Sequence, residues 1–204
     1  MHYENRLFWD RCAEKYARHF NDPSRAIEFG SLNINGSIRD SCRCTDYTGL
    51  DWRPGRCVDI VSLAHEAPFA PESFDTVLSA SMLEHDPFWD KSISKMVEVL
   101  KPDGILAVSW GATKNAPHCL DTAPDGKFHA LKTALVLDLL ETLGMYVHEF
   151  QYERSLINEA RGRLLRDEQR GLGEAALVAF KDRAYATGES IHEAVLPEDE
   201  IANE

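Results

Sequence analysis

The chain has 204 residues and a net charge of −12, with 44% hydrophobic and 27% charged residues. This length suits one domain with a substantial core. The acidic balance argues against a nucleic-acid partner, because phosphate binding depends on concentrated Lys and Arg. No apolar run could span a bilayer and residues 1–6 lack a signal-peptide core, so we expect a cytoplasmic protein with no membrane partner.

The five cysteines are odd in number and irregularly spaced, which does not fit a disulfide framework. Cys42 and Cys44 are too close together to form a zinc knuckle alone, and no second pair completes one. We therefore expect plain thiols and no metal site.

The first predicted element is a helical cover over about residues 3–21. Phe8, Cys12 and Tyr16 fall on one helical stripe, and Asn21-Asp22-Pro23 ends the helix. Such a helix either packs on the sheet or forms a lid over a cofactor pocket.

Apolar strand-like segments then alternate with helix-forming segments as far as Leu143, which predicts a parallel sheet. The predicted strands cover residues 25–29, 47–50, 58–61, 74–79, 105–110, 145–152 and 175–180. The predicted helices cover residues 37–43, a segment that begins at Asp86-Pro87, residues 129–143 and residues 155–170.

The last two predicted strands follow each other without a clear βαβ pattern, which suits an antiparallel last strand. The expected fold is an α/β three-layer sandwich around a mostly parallel, seven-stranded Rossmann-like sheet with an antiparallel last strand. We expect a single domain over residues 1–193 and an acidic, flexible tail over residues 194–204.

The first motif with chemical meaning follows the first predicted strand. Glu28 and Gly30 end that strand, and a glycine there lets the backbone come close to a ligand. Gly36 and Ser37 can open the next helix, whose exposed amides suit a carboxylate or phosphate. The segment is neither a G-x-G-x-x-G motif nor a P-loop. A turn that simply needs glycine is an equally good interpretation.

The second motif is Asp51, which ends the second predicted strand 23 residues after Glu28 (51 − 28). An acid at this place can accept hydrogen bonds from both ribose hydroxyls of NAD, a flavin or S-adenosylmethionine. It could instead cap a turn. Trp52 follows at once, and it could pack on an adenine face or be an ordinary apolar cover.

Two further runs carry a family resemblance. The run A-H-x-x-P-F-x-x-x-S-F-D-x-V-x-S-x-x-x-L-E-H spans residues 64–85, and V-L-K-P-D-G-I-L-A-V spans residues 99–108. In combination with the two motifs above, they resemble the class I S-adenosylmethionine-dependent methyltransferases of the small-molecule type, similar to methyltransferase domain 11. The resemblance covers about residues 25–110.

The resemblance implies a role for each matching position. It places Glu28, Gly30 and Ser31 at the methionine part of the cofactor and Asp51 at the ribose. It further implies that the adenine lies beside Ala64 and His65, and that the floor beneath the sulfonium is formed by Ser79, Ala80 and Ser81.

The sequence departs from the family pattern in two places. Leu63 stands where many relatives have an aspartate for the adenine amino group. Only residues 52–57 separate the second and third predicted strands, so the usual intervening helix is expected to be missing.

His85 is the best single candidate for proton chemistry. It follows the fourth predicted strand, near the cofactor's reactive end in the family, and its ordinary pKa range suits a general base. A structural role for the Leu83-Glu84-His85 triplet is the alternative. His118, Asp121 and His129 lie in or beside the long polar segment 111–127, and they could line the acceptor pocket.

The sequence thus predicts methyl transfer from S-adenosylmethionine, with S-adenosylhomocysteine as the product, to a small or medium-sized acceptor such as a metabolite, sugar or lipid precursor. One alternative is a non-catalytic protein that retains the fold for binding or scaffolding. A nicotinamide-dependent oxidoreductase is the other, although the missing third glycine counts against it.

Overall fold

The structure is a computed structural model that describes residues 3–34, 36–111, 117, 120–129, 131–154, 172–186 and 192–193. The α-helices within these residues are α1 (Tyr3–Lys15), α2 (Ala17–Phe20), α3 (Trp89–Val99) and α4 (Thr133–Thr142). The strands are β1 (Ala26–Phe29), β2 (Tyr47–Asp51), β3 (Ile60–Val61), β4 (Phe74–Ala80), β5 (Leu100–Gly111), β6 (Tyr146–Arg154), β7 (Leu172–Phe180) and β8 (His192–Glu193).

All eight of these strands form one sheet in the order β3-β2-β1-β4-β5-β7-β6-β8. Strand β7 is antiparallel to both of its neighbours, and every other described pair of strands is parallel. This confirms the predicted mostly parallel sheet with an antiparallel last long strand. The two-residue β8 is an addition at the edge of the sheet, beside β6.

Alternation along the strands places helices on both faces of the sheet. In β5, Leu106 and Val108 belong to a core cluster that also contains residues of α3 and α4. Ile105 and Ala107 belong to a second cluster on the opposite face, which contains residues of α1 and α2. The molecule is therefore the predicted three-layer sandwich.

The predicted helix over residues 37–43 is wrong: this segment contains only a single 3-10 turn, Ile38–Asp40. The backbone N–H of Arg43 donates to the carbonyl oxygen of Phe20, 2.7 Å away, and Arg43 pairs with Asn21 in a parallel bridge. This pairing draws the chain out of the helical path. The connection between β2 and β3 contains no helix, as predicted.

Two helices begin later than predicted because side chains and carbonyls nearby hold the preceding residues in turns. Asp86 does accept a hydrogen bond from the N–H of Phe88 at 2.8 Å, but α3 begins only at Trp89. The N–H of His129 donates to the carbonyl oxygen of Glu84, 2.7 Å away, and α4 begins only at Thr133.

The predicted helix over residues 155–170 and the predicted tail over residues 194–204 lie outside the described residues. Within the described part of the chain, no helix is both long enough and apolar enough to cross a membrane.

Candidate active site

An open pocket lies where the strand order reverses between β1 and β4, at the carboxyl ends of β1, β2 and β4. Open α/β sheets bind ligands at this place. The empty space of the pocket, counted together with the open solvent at its mouth, is about 870 Å³. Its lining residues are Glu28, Gly30, Leu32, Ile34, Gly36, Leu50, Asp51, Trp52, Ser62, Leu63, Ala64, Ala80, Ser81, Met82, His85, Asp86, Thr122 and Pro124.

The backbone after β1 forms a cradle at the base of this pocket. Gly30 has a φ of +80°, which favours glycine, and a Cβ at this position would lie 2.5 Å from the Cβ of Met82. Ser31, predicted to be a cofactor contact, does not line the pocket. It is buried, and a Cβ on Gly49 would lie 2.7 Å from its hydroxyl. Ser31 therefore packs behind the cradle rather than within it.

Glu28 presents a buried carboxyl to the pocket from β1. Burial raises its pKa to about 7, although the Tyr47 hydroxyl, which donates to Oε2 at 2.6 Å, favours the charged form. The guanidinium of Arg39 lies 4.6 Å from the centre of the Tyr47 ring. This carboxyl is therefore able to change charge close to neutral pH.

Asp51 presents a second carboxyl to the pocket, from the end of β2. Its Oδ2 accepts a hydrogen bond from the N–H of Leu32, and its Oδ1 accepts one from the N–H of Arg53, both at 3.2 Å. Burial raises the pKa of Asp51, and these two backbone donors oppose that shift. The carboxylate is thus held in one orientation by the loops on either side of it.

Trp52 forms part of the pocket mouth and holds a distant segment in place. Its ring nitrogen Nε1 donates to the carbonyl oxygen of Thr122, 2.7 Å away. The guanidinium of Arg53 donates to the carbonyl oxygen of Asp121, 3.0 Å away. Since Thr122 and Pro124 line the pocket, these two bonds attach the segment after β5 to the end of β2.

The far end of the pocket, after β3, is lined by Ser62, Leu63 and Ala64. His65, predicted to lie beside an adenine, is outside the lining, and its ring centre lies 4.6 Å from that of Phe88. Leu63 brings an apolar side chain to the place where the family pattern has an acid.

The opposite end of the pocket is lined by Ala80, Ser81, Met82 and His85. His85 is 7% exposed, and its ring stands edge to face with the Phe128 ring at a centre distance of 5.7 Å. Ser79, predicted to belong to the floor, is completely buried in β4 and does not reach the lining.

None of the three residues predicted on the acceptor side is found in the pocket lining. His118 lies outside the described residues, and neither Asp121 nor His129 belongs to the pocket lining. The Nε2 of His129 lies 3.1 Å from Oδ2 of Asp125 in an exposed pair. Among the described residues, no group of three or more His, Cys, Asp or Glu side chains could hold a metal ion.

Sequence reasoning missed Asn5, which is buried in α1. Its carboxamide bonds to the hydroxyls of Ser81 at 3.1 Å and Ser109 at 2.9 Å, so it bridges the carboxyl ends of β4 and β5. The available signal was a polar residue on the apolar stripe that continues through Phe8 and Cys12. The other lining residues that the sequence did not assign to the site are mostly apolar: Leu32, Ile34, Leu50, Ser62, Met82, Asp86, Thr122 and Pro124.

Comparison with known proteins finds a family model that matches part of this chain and solved structures of the same fold. Residues 37–108 match the family model of a methyltransferase domain, Methyltransf_11. No curated protein matches the chain. An S-adenosylmethionine-dependent methyltransferase from Mesorhizobium loti has a similar structure, with a TM-score of 0.62 and 14% identity over 83% of this chain and 97% of that one.

Two other solved structures have the same fold and a more specific description. The cyclase SpnF is 19% identical, with a TM-score of 0.60, over 87% of this chain and 81% of that one. The 1,6-didemethyltoxoflavin-N1-methyltransferase of Burkholderia thailandensis, crystallised with 1,6-didemethyltoxoflavin and S-adenosylhomocysteine, is 14% identical, with a TM-score of 0.55, over 84% of this chain and 77% of that one. At these identities, the structural similarity establishes the fold.

Proposed function

We propose that this chain, of which residues 37–108 match a methyltransferase domain model, is a class I methyltransferase that transfers a methyl group from S-adenosylmethionine to a small or medium-sized acceptor. The acceptor class comprises metabolites, sugars and lipid precursors. The net charge of −12 disfavours nucleic acid as the acceptor.

The observation that carries this proposal is the charge of the pocket. Among the residues that the structure describes, its lining contains the three acids Glu28, Asp51 and Asp86, and neither Lys nor Arg. S-adenosylmethionine has a cationic sulfonium and a cationic ammonium, which such a lining attracts. A nicotinamide dinucleotide has a pyrophosphate instead, which the same acids repel. The pocket therefore favours methyl transfer over the oxidoreductase alternative.

Different residues of the pocket suit different parts of the cofactor. Asp51 is proposed to accept hydrogen bonds from the ribose hydroxyls, and Glu28 to balance the ammonium of the methionine part. Gly30 lets the Met82 side chain pack directly against the backbone after β1, and both residues line the pocket where the methionine part is proposed to lie. Trp52 is proposed to cover the adenine, and Leu63 replaces a polar contact at that end with an apolar one.

The reactive end is proposed to lie beside Ala80 and Ser81. The cofactor supplies a methyl group that its sulfonium has already activated, so the protein's main task is to align the acceptor behind that methyl. His85 is proposed to accept the proton that the acceptor loses, since its ring is buried at this end of the pocket. Phe128, packed against His85, holds that ring in place.

The non-catalytic alternative predicted from the sequence remains a second candidate, favoured by Leu63. One of the proteins of the same fold is a cyclase, so the fold by itself does not fix the reaction. A protein that only binds the cofactor would bind S-adenosylhomocysteine. It would form no S-adenosylhomocysteine when S-adenosylmethionine and acceptors are supplied.

The first experiment is calorimetric titration of the protein with S-adenosylhomocysteine, with NADH as the control ligand. We expect micromolar binding of the first and none of the second. The same titration on Asp51→Asn, with Asp138→Asn on the exposed face of α4 as a matched control, tests whether binding occurs in this pocket. Binding of NADH alone would overturn the proposal.

The second experiment incubates the protein with S-adenosylmethionine and pools of small acceptors, and measures the S-adenosylhomocysteine released. Release that depends on an acceptor is expected from wild type, and the His85→Ala variant should lose most of it while retaining cofactor binding. If the protein binds the cofactor tightly but forms no S-adenosylhomocysteine with any acceptor pool, the non-catalytic alternative is favoured.

A further inference from the structure

Cys42 and Cys44 bring two thiols together outside the pocket. Their Sγ atoms are 3.5 Å apart, and both side chains are buried. Arg43 between them is exposed and pairs with Asn21 in a parallel bridge. Residues two apart in an extended segment face the same side, which is why both thiols point inward. The backbone therefore places both thiols on one face, and the side chains turn toward each other there.

The two thiols are chemically unequal. The hydrogen bond between them lowers the pKa of Cys42, whereas the same bond and burial raise the pKa of Cys44. Cys44 also lies 3.4 Å from the carbonyl oxygen of His19. Burial raises the pKa of Cys12, in the same core cluster, well above its usual value. The Cys44 thiol donates to the carbonyl oxygen of His19, which favours its protonated form, so the geometry assigns the first attack on an oxidant to Cys42.

We propose that Cys42 and Cys44 are a redox-active dithiol that hydroperoxides oxidise to an intrachain disulfide. The Cys42 sulfur attacks one peroxide oxygen, the O–O bond breaks, and water or an alcohol leaves with a proton, giving a sulfenic acid. The Cys44 sulfur then attacks the Cys42 sulfur, the S–S bond forms, the S–O bond breaks, and a second water leaves. The two thiols lose two electrons in total, and the peroxide gains them.

This oxidation has a route to the pocket. The sulfur atoms must approach from 3.5 Å to a bonded distance of about 2.05 Å, so the segment that carries them must move. The N–H of Cys42 donates to the carbonyl oxygen of Ile38, 2.9 Å away, within the turn that contains Arg39. Arg39 packs on Tyr47, which donates to Glu28 in the pocket. We therefore expect the disulfide to weaken cofactor binding, a consequence that rests on the proposed function.

The chemical step is tested by treating the wild-type protein with hydrogen peroxide, blocking free thiols with iodoacetamide, and digesting with trypsin. Trypsin cuts after Arg43, between the two cysteines, so the disulfide joins peptide 40–43 to peptide 44–56. We expect this linked pair, separable by dithiothreitol. Recovery of both peptides separately, each with a blocked thiol, would overturn the proposal, as would a link from either to another cysteine. In Cys44→Ser, Cys42 should stop at the sulfenic acid, which dimedone traps.

The expected effect of the disulfide on cofactor binding is tested by titrating reduced and oxidised wild-type protein with S-adenosylhomocysteine. We expect at least fivefold weaker binding to the oxidised protein, and full recovery after dithiothreitol. Cys44→Ser should show no such loss under brief oxidation. Equal affinities in the two states would overturn the coupling while leaving the disulfide established. If the reduced protein also fails to bind S-adenosylhomocysteine, the proposed function fails. The peptide map then still decides whether the disulfide forms.

Discussion

The carboxamide nitrogen of Asn5 donates a hydrogen bond to the hydroxyl of Ser81, 3.1 Å away across 76 residues of sequence. Ser81 lines the pocket with a φ of +50°, so this bond joins α1 to a strained position beside the proposed reactive end. The oxygen of the same carboxamide accepts a bond from Ser109. Helix α1 is therefore attached directly to the site.

Replacing Asn5 with Ala is expected to loosen this attachment. The change leaves the buried Ser109 hydroxyl without its acceptor, which costs about 1–3 kcal/mol of unfolding free energy. Urea denaturation measures that loss, and calorimetry with S-adenosylhomocysteine measures the accompanying loss of affinity. Leu7→Ala, an exposed position on the same helix, is the control and should change neither quantity much. Wild-type behaviour of Asn5→Ala would show that α1 is not fixed through this carboxamide.

Replacing Asp51 with Asn tests the proposed ribose contact. The amide cannot accept two charge-assisted hydrogen bonds, each of which contributes roughly 1.5–3 kcal/mol. We expect the affinity for S-adenosylhomocysteine to fall about tenfold or more, while circular dichroism stays unchanged. An affinity equal to that of the Asp138→Asn control would contradict the assignment of Asp51.

Glu28 predicts a pH dependence of binding, because its pKa is raised to about 7. Below that pH the carboxyl is protonated and attracts the ligand's ammonium less, so the affinity for S-adenosylhomocysteine should rise between pH 5.5 and 8. Titrations across this range are the measurement. Glu28→Gln should flatten the profile, and an equally steep profile in the variant would assign the dependence to another group.

The same shift has the opposite consequence for stability without ligand. The folded pKa of Glu28 lies above its ordinary value of 4.5, so the native state holds more protons than the unfolded chain between these two values. The stabilising contribution is fully present below about pH 4.5 and is lost as the pH rises through about 7. At pH 8, Glu28→Gln should therefore unfold at a higher urea concentration than wild type does. A lower midpoint for the variant would contradict the raised pKa.

Replacing Trp52 with Phe tests the attachment of the segment that contains Thr122. The change keeps an aromatic ring but removes the Nε1 donor, which is 2.7 Å from the Thr122 carbonyl oxygen. We expect S-adenosylhomocysteine to dissociate severalfold faster, as stopped-flow displacement would measure. Trp89→Phe, on α3 and outside the pocket lining, controls for the loss of one tryptophan. Equal dissociation rates in the two variants would show that the bond does not retain the ligand.

The sequence predicted the long elements and the carboxylates, because both have local causes. Strands β1, β2 and β4 are short apolar runs that end in turn residues, and Glu28 and Asp51 follow from their place at those ends. The absence of a helix between β2 and β3 follows from the shortness of the connecting segment. The starts of α3 and α4 were predicted less well, because bonds to Asp86 and to the carbonyl of Glu84 decide them.

The tertiary structure decided which of the residues in the family pattern line the pocket. Ser31, His65 and Ser79 matched the family pattern, yet they pack outside the lining, because the direction of a side chain depends on neighbouring loops that local sequence does not specify. Asn5 and Thr122 reach the site from segments far apart in the sequence, through hydrogen bonds that span 76 and 70 residues. The local sequence determined which strands form and where their acids stand, whereas long-range packing decided which side chains meet around the pocket.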